Sequence, residues 1–400
     1  MKKLTAILFF TVITAALSCN KGNGTNSTPQ QQPTISIADN SLNEGSSGNA
    51  NFEFTISLSN AYSKAVSVHY STIDGTAKSG QDYVAVSDQV IIFQPNETQK
   101  KISVTVVGDD IKEGDETFSV RLSSPENGTL IRQTAVGTIR NDDTKVPFTN
   151  AGYDAPASYA GYNLVWSDEF NGASLDDKVW SYENGDGCPN LCGWGNNELE
   201  YYTSRPDNLI FQDGKMIIEA KQETMGGKNY TSAKIKTQSK KTFKYGRIDI
   251  RAKLPTGKGI WPALWLLPQD NVYGSWPKSG EIDMMEAIGS EPNKILGTFH
   301  YGSGPGSTYI SKNYLFTGST FNDEFHVFSM EWKQDMIKLY VDNNLFSTVT
   351  KADVGNNTYP FNEQFYLIIN LAVGGNLPGN PDASTYYPQW LILDYVRVYQ

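Results

Sequence analysis

Apolar and polar residues alternate in short runs along most of the chain, with the period of two that places β-strand side chains on opposite faces. Such runs occupy residues 52–56, 66–70, 102–106 and 243–253. Residues 365–373 and 391–399 are almost continuously apolar, which indicates strands buried on both faces. Turn residues separate these runs. The pattern therefore predicts an all-β protein.

The distribution of these runs predicts two β domains in the 400-residue chain. Residues 34–143 read as a small β-sandwich. Residues 144–158 lack periodicity and contain Pro147 and Pro156, so we expect a linker there. Residues 159–400 form the larger domain. Residues 20–33 consist mainly of Asn, Gly, Ser, Thr, Gln and Pro, and predict a polar tether that is too hydrophilic to fold alone.

The N-terminus has the pattern of an export signal. Two lysines precede the apolar run 4–17, which is too short for a membrane span, and the run ends at Ala16-Leu17-Ser18-Cys19. This resembles a bacterial lipoprotein signal (residues 1–19), with Cys19 as the acylated residue, although Ala16 stands where Leu is usual. The alternative is an ordinary signal peptide. We predict an exported lipoprotein of the cell envelope, attached to the membrane only through its lipid.

Cys188 and Cys192 lie in one loop. A zinc site would need further ligands, and the three histidines are scattered along the sequence. In an exported protein, a local disulfide between Cys188 and Cys192 is the favoured interpretation.

The charge and the aromatic content narrow the range of partners. The formal net charge is −10 and no basic run is present, which argues against a nucleic-acid binder. Aromatic residues make up 12% of the chain. They suit both a β core and a surface that stacks on sugar rings. A neutral substrate fits this composition better than an anionic one.

Three carboxylates lie close together at Glu281, Asp283 and Glu286. On a regular strand Glu286 would face away from Glu281 and Asp283, but a β-bulge at residues 284–285 would return it to their face. A carboxyl separation of about 5–5.5 Å, as in a retaining glycosidase, would then be within reach. Two alternatives are a solvated acidic sheet face and a site for a hard cation.

The surrounding sequence resembles family-16 glycoside hydrolases, and in particular the laminarinases that cleave 1,3-β-glucan. The resemblance covers roughly residues 162–400 and rests on Trp-Pro-Ala-Leu-Trp (261–265), Glu-Ile-Asp-Met-Met-Glu (281–286) and Gly-Trp-Gly-Asn-Asn-Glu (193–198). It implies a β-jelly-roll with an open concave cleft. It also implies that Glu281 is the nucleophile and Glu286 the general acid/base, with Asp283 between them separating their titrations. We therefore expect Glu281 to be ionised and Glu286 protonated near neutral pH.

Several residues are predicted to contact the sugar chain. Asn196 offers an amide to hydroxyl groups, the tryptophans offer stacking faces, and the resemblance adds one arginine and one histidine. The predicted substrate-binding residues are Asn196, Arg251, Trp261, Trp265, Trp276 and His300. Leu377 stands where the family usually has Trp, which leaves the subsite preference open.

Two structural calcium sites are further expectations, and catalysis itself implies no cofactor. The family resemblance suggests one on the convex face, with a carboxylate from Asp394 and backbone oxygens from Glu169 and Gly214. Residues 34–143 resemble a Calx-beta domain, which suggests acidic ligands at Glu44, Asp82, Asp110, Glu113, Asp142 and Asp143. The alternative is an acidic rim that binds no ion.

The sequence thus predicts a monomeric, endo-acting, retaining 1,3-β-glucanase. A mixed-linkage 1,3-1,4-β-glucanase is the nearest rival. A glycan-binding protein on a decayed hydrolase fold and a calcium-dependent adhesin led by residues 34–143 are alternatives from other classes.

Overall fold

The computed structural model describes residues 30–302 and 308–400. The predicted signal, Cys19 and most of the predicted tether lie outside the described residues. The described part of the chain forms two compact units. One comprises residues 30–41, Asn51–Val106 and Thr117–Thr138; the other comprises Leu42–Ala50, Val107–Glu116 and Ile139–Gln400. Among the described residues no helix is both long enough and apolar enough to cross a membrane.

Nine strands form the N-terminal sandwich, as the alternating runs predicted. They are β1 (Thr34–Ile37), β2 (Asn40–Asn43), β3 (Gly48–Leu58), β4 (Val66–Asp74), β5 (Gln89–Phe93), β6 (Gln99–Gly108), β7 (Glu116–Glu126), β8 (Thr129–Arg132) and β9 (Thr134–Arg140). One sheet has the order β6-β3-β1-β8 and the other β2-β9-β7-β4-β5. Phe52, Phe54 and Phe118 are buried in its core, where Phe52 stacks on Phe54 and both contact the Phe118 ring edge to face.

Seventeen strands follow in the part of the chain that the structure describes. They are β10 (Leu164–Asp168), β11 (Ser181–Tyr182), β12 (Glu200–Tyr202), β13 (Leu209–Gln212), β14 (Lys215–Ala220), β15 (Tyr230–Ser232), β16 (Lys234–Lys236), β17 (Gly246–Lys253), β18 (Ile260–Pro268), β19 (Glu281–Ala287), β20 (Lys294–Tyr301), β21 (Thr308–Leu315), β22 (His326–Lys333), β23 (Met336–Val341), β24 (Asn344–Thr350), β25 (Phe365–Val373) and β26 (Gln389–Tyr399). Short 3-10 turns lie at Cys192–Gly195 and Lys351–Val354.

Two large sheets, mostly antiparallel, make up the C-terminal unit. One runs β11-β16-β25-β18-β19-β20-β21 and is called here the cleft sheet, because it carries the three carboxylates. The second runs β13-β14-β26-β17-β22-β23-β24, with β10 beside β26, and is called the back sheet. A two-stranded parallel ribbon joins β12 and β15. This all-β architecture confirms the predicted fold class.

The apolar faces of the two sheets share one core. All nine residues of β25 are buried, as its continuous apolar run predicted. Leu264 and Met285 from the cleft sheet belong to the same buried cluster as Met330 and Trp332 from the back sheet. Each fully buried large side chain of this kind contributes about 1.5–3 kcal/mol through removal from water. The core therefore gives the cleft sheet a rigid support.

Candidate active site

A β-bulge in β19 places the three carboxylates on one face of the cleft sheet. Asp283 pairs with Thr298 of β20, whereas Glu286, three residues later, pairs with Leu296, only two residues away. The pairing with β18 shows the same extra residue, because it passes from Met285 directly to Asp283. The irregularity predicted at residues 284–285 is confirmed.

The bulge also explains why the apolar pattern of β19 is not a strict alternation. Met284 and Met285 are adjacent, yet both are buried in the core, at 2% and 0% exposure. Gly280 immediately before β19 has φ of +90°, and a Cβ there would lie 2.9 Å from Pro360. A glycine is therefore required where the chain enters the strand.

Indole groups hold the two outer carboxylates. Trp276 Nε1 donates to Glu281 Oε2 at 2.8 Å, and Trp261 Nε1 donates to Glu286 Oε1 at 3.1 Å. His300 Nε2 lies 3.8 Å from Glu281 Oε1 and 3.4 Å from Asp283 Oδ2. Glu281, Asp283 and His300 each bring one donor atom within 4.8 Å of the others, so the cluster is also compact enough for a metal ion.

Burial raises the pKa of all three carboxyls, and repulsion from a neighbouring carboxylate adds to this for Glu281 and Asp283. Burial, and next the charge of Asp283, raise the pKa of Glu281 to about 8, against the lowering effects of His300 and of the Trp276 hydrogen bond. Burial and Glu286 raise the pKa of Asp283 well above its usual range, and burial raises that of Glu286. The expectation that Glu281 is ionised near neutral pH is wrong for this geometry, because loss of hydration outweighs the indole hydrogen bond.

Glu281 and Glu286 line an open cleft of about 980 Å³, whereas Asp283 between them is buried. Five predicted substrate-binding residues line it: Asn196, Trp261, Trp265, Trp276 and His300. The Trp276 ring is 52% exposed and lies 5.9 Å from the His300 ring, which is 5.8 Å from Tyr309. These flat faces are suited to sugar rings. Leu377, which stands where the family has Trp, also lines the cleft.

Matches to known families and proteins agree with this arrangement. The family model "Glycosyl hydrolases family 16" matches residues 197–390, and "Calx-beta domain" matches residues 29–143. A further model, "Beta-glucan synthesis-associated protein SKN1/KRE6/Sbg1", matches residues 113–274. The "Beta-glucanase" of Rhodothermus marinus is 39% identical over 62% of this chain and 89% of its own length. The chain belongs to glycosyl hydrolases family 16.

One further curated protein and one solved structure are similar to this chain. "Glucan endo-1,3-beta-glucosidase A1" of Niallia circulans is 42% identical over 71% of this chain, and the match spans 46% of that relative's length. The laminarinase catalytic domain of Thermotoga maritima MSB8 is 41% identical, with a TM-score of 0.56 over 60% of this chain and 98% of its own. The first relative is thus about twice as long as the region it shares with this chain.

Trp194, Lys234 and Glu183 are among the cleft-lining residues of this family-16 domain that sequence reasoning missed. Lys234 of β16 places Nζ 4.1 Å from the ring centre of Trp194 and 5.2 Å from that of Trp265. Its ion pair with Glu183 measures 3.1 Å. Trp194 could have been found from its place beside Asn196 in the quoted motif. Nothing in the sequence links Lys234 and Glu183 to the cleft, since only the sheet brings them there.

The loop that carries Trp194 and Asn196 is closed by the predicted disulfide. Cys188 and Cys192 are bonded, with an S–S distance of 2.06 Å. The chain then turns through Gly193 with φ of +60°. The backbone oxygen of Asn196 accepts a hydrogen bond from Asn376 N at 2.8 Å, which ties the loop to the segment after β25.

Arg251 does not contact the cleft, so its predicted substrate role is wrong. It lies on β17 of the back sheet and is 5% exposed. Its guanidinium binds Asp394 at 2.5 Å and donates to the backbone oxygens of Tyr153 at 2.7 Å and Asn150 at 3.0 Å. A clean alternation identified the strand, but it could not tell which of the two sheets the strand joins.

Cations bind the side chains of two predicted calcium ligands, Asp394 and Glu169. Asp394 accepts from Arg251 through one oxygen and pairs with Lys215 through the other at 2.8 Å. Both carboxylate oxygens are thus bound, and two positive charges would repel Ca²⁺. The Glu169 side chain is paired with Arg397 at 2.8 and 2.9 Å. The Asp394 carboxylate does not fit the predicted role; backbone oxygens of Glu169 and Gly214 as ligands stay a prediction.

Among the acidic candidates in the Calx-beta match, Glu44 has a raised pKa. Burial, followed by the charges of Glu113, Asp109 and Asp143, raises its pKa to about 7, against the lowering effect of Asn141. Asn141 Nδ2 donates to Glu44 Oε1 at 2.9 Å. Burial, with a smaller contribution from three neighbouring carboxylates, therefore favours the protonated form of Glu44.

Three of the other acidic candidates contact backbone N–H groups or a lysine nearby. Asp82 accepts from the backbone N–H of Lys78 at 2.6 Å, and Asp142 accepts from Gly45 N at 3.0 Å. Asp110 forms an exposed ion pair with Lys145 at 2.8 Å. Asp143 is buried, and its Oδ2 has no hydrogen-bond partner among residues 30–302 and 308–400. Calcium binding by this set, with Glu113, stays a prediction.

Proposed function

We propose that this chain is an endo-acting, retaining glycoside hydrolase that cleaves 1,3-β-glucan of the laminarin type. The observation that carries the proposal is the bulge in β19, which turns Glu281 and Glu286 toward one cleft. Family-16 membership and the similarity to proteins named as 1,3-β-glucanases support this substrate class. An open cleft admits a polymer at any point along its length, which supports internal cleavage.

In the proposed mechanism Glu281 attacks the anomeric carbon while Glu286 gives its proton to the departing glycosidic oxygen. The raised pKa of Glu286 suits it to arrive protonated. Glu286 then removes a proton from water, which attacks the same carbon and releases Glu281. The carbon–oxygen bond that forms in the first step is broken in the second, so the anomeric configuration is retained.

Asp283 and Trp276 prepare Glu281 for its role as a nucleophile. Glu281 must be ionised to attack, although burial disfavours its charge. Asp283, whose pKa is raised well above its usual range by burial and by the charge of Glu286, can hold a proton and thereby avoid a second negative charge beside Glu281. The Trp276 hydrogen bond stabilises the charged form of Glu281 directly.

The decisive experiment is digestion of laminarin with sizing of the products and proton NMR of the first anomer released. We expect a ladder of oligosaccharides with the β configuration, and no hydrolysis by Glu281→Gln, which should still fold and bind glucan. Faster cleavage of lichenan would favour the mixed-linkage rival. Binding without release of reducing ends would favour the glycan-binding alternative, and inversion at the anomeric carbon would contradict the mechanism.

We also propose that the protein is exported and anchored by a lipid on Cys19, and that it acts as a monomer. The apolar run and Cys19 support the anchor. Metabolic labelling with a palmitate analogue should mark the full-length protein but not Cys19→Ser. Labelling of both, or of neither, would contradict the anchor.

A further inference from the structure

A chain of hydrogen bonds links Trp265 to Asn196 beneath the cleft, and its donors converge on Glu198 from both ends. Trp265 Nε1 donates to Asn370 Oδ1 at 2.7 Å, and Asn370 Nδ2 donates to Tyr202 Oη at 3.0 Å. Tyr202 Oη donates to Glu198 Oε2 at 3.2 Å. Asn196 Nδ2 donates to the other oxygen, Glu198 Oε1, at 3.3 Å. Both ends of the chain line the cleft.

The chemistry of the groups determines the direction of every bond. An indole N–H can only donate, so the Asn370 oxygen must face Trp265 and its NH₂ must face Tyr202. The Tyr202 oxygen then accepts from Asn370, and its proton is directed to Glu198. No alternative orientation of the Asn370 amide satisfies all of these partners.

Burial makes this chain resistant to exchange with water. Glu198, Tyr202 and Asn370 are 6%, 0% and 6% exposed. Hydrogen bonds in such surroundings are stronger than in water, and leaving one partner unpaired is costly. The chain joins the loop after the disulfide and β12 of the parallel ribbon to β18 and β25, which are neighbouring strands of the cleft sheet.

The orientation of Asn196 follows from that of Glu198. The Asn196 NH₂ is turned toward Glu198, so the Oδ1 atom lies at the opposite end of the amide. No residue within the described ranges donates to that oxygen. Asn196 is therefore set to accept a hydrogen bond from a ligand in the cleft.

We propose that Glu198, Tyr202 and Asn370 are positioning residues that make Asn196 an acceptor for a sugar hydroxyl. The subsite beside Asn196 would then select a sugar with a hydroxyl donor at that position and reject one in which the oxygen is alkylated or sulfated. This inference rests on the proposed function, because it assigns specificity to the same cleft.

A double-mutant cycle on glucan binding tests the inference. The cycle uses Tyr202→Phe, Asn196→Ala and both together, each in a Glu281→Gln background, with affinity for a laminarin oligosaccharide measured by calorimetry. We expect Tyr202→Phe alone to weaken binding about threefold to tenfold, the loss of roughly one hydrogen bond. In the Asn196→Ala background the same change should have less than about a 1.5-fold effect.

Kinetics on the chain with Glu281 intact give a second readout. Tyr202→Phe should raise KM by about the same factor and change kcat by less than about twofold. Tyr340→Phe is the matched control, because it also removes a tyrosine hydroxyl that donates to a carboxylate, Glu331 at 2.9 Å, but on the back sheet. It should leave both constants unchanged.

The outcomes separate the two proposals. If the protein hydrolyses laminarin but the effects of Tyr202→Phe and Asn196→Ala on binding are additive, the positioning role alone is overturned. The same holds if Tyr202→Phe and Tyr340→Phe change the kinetic constants equally. Absence of both hydrolysis and glucan binding would overturn the proposed function and this inference with it. If Tyr202→Phe does not fold, Glu198→Gln takes its place. This substitution keeps the side-chain volume but introduces an amide donor in place of an acceptor. It should therefore raise KM when Asn196 is present and leave KM unchanged in the Asn196→Ala background.

Discussion

Replacing Glu281 by Gln should stabilise the protein at alkaline pH, although it removes activity. Burial and Asp283 raise the pKa of Glu281 from 4.5 to about 8. The native state therefore holds this proton more tightly than the unfolded chain, and the stability contributed by the protonated carboxyl is lost as pH rises from about 4.5 to about 8. At about 1.4 kcal/mol per pKa unit, the upper limit of this loss is about 5 kcal/mol.

Thermal unfolding of Glu281→Gln and of the unsubstituted protein across pH 4–9 measures this effect. An amide does not titrate, so the Tm difference should be small at pH 4.5 and grow to at most roughly 10–20 °C at pH 8, since about 5 kcal/mol is the upper limit and 1 kcal/mol shifts Tm by about 2–4 °C in a domain of this size. Asp177→Asn, at an exposed carboxylate, is the control and should give a much smaller change in the Tm difference. A Tm difference for Glu281→Gln that does not increase with pH would refute the burial argument.

Three further predictions address the indole hydrogen bond, the back-sheet ion pairs and the disulfide. Trp276→Phe removes the bond that lowers the pKa of Glu281, so the acidic limb of the kcat/KM profile should move to higher pH by about half a unit or more; an unshifted limb would contradict the role of that bond. Asp394→Asn leaves two buried cations without their carboxylate and should cost about 3–5 kcal/mol in urea unfolding, whereas a change below about 1 kcal/mol would show that the pairs are replaced by water. Reduction of the Cys188–Cys192 bond loosens the loop beside the cleft, so dithiothreitol should raise KM severalfold with little change in kcat; an equal response of a Cys188→Ser, Cys192→Ser double variant would exclude the disulfide as the cause.

The sequence was informative about the catalytic strand because its chemistry is local. Glu281, Asp283 and Glu286 lie within six residues, and a strand with one inserted residue can turn them to the same side. The adjacent Met284 and Met285 also indicate where the bulge lies, because two neighbouring apolar residues interrupt the alternation there. The short disulfide loop was equally local, and the structure confirms it.

The sequence was misleading where a residue's partner comes from a distant strand. Arg251 belongs to a clean alternating strand, but only the sheet order shows that it faces Asp394 rather than the cleft. The prediction that Glu281 is ionised near neutral pH was wrong for a related reason. The pKa of Glu281 depends on how far the residues around it exclude water. The hydrogen-bonded chain from Trp265 to Asn196 was also hidden, because residues 196–202 meet Trp265 and Asn370 only in the folded protein.

The sequence by itself determined the all-β class, the family and the carboxylate cluster, because alternation and closely spaced motifs act over a few residues. Only the tertiary structure decided which sheet each strand joined, which side chains met across the cleft and how strongly burial shifted their pKa values. These properties depend on contacts between residues far apart in the chain, and no short-range pattern contains them.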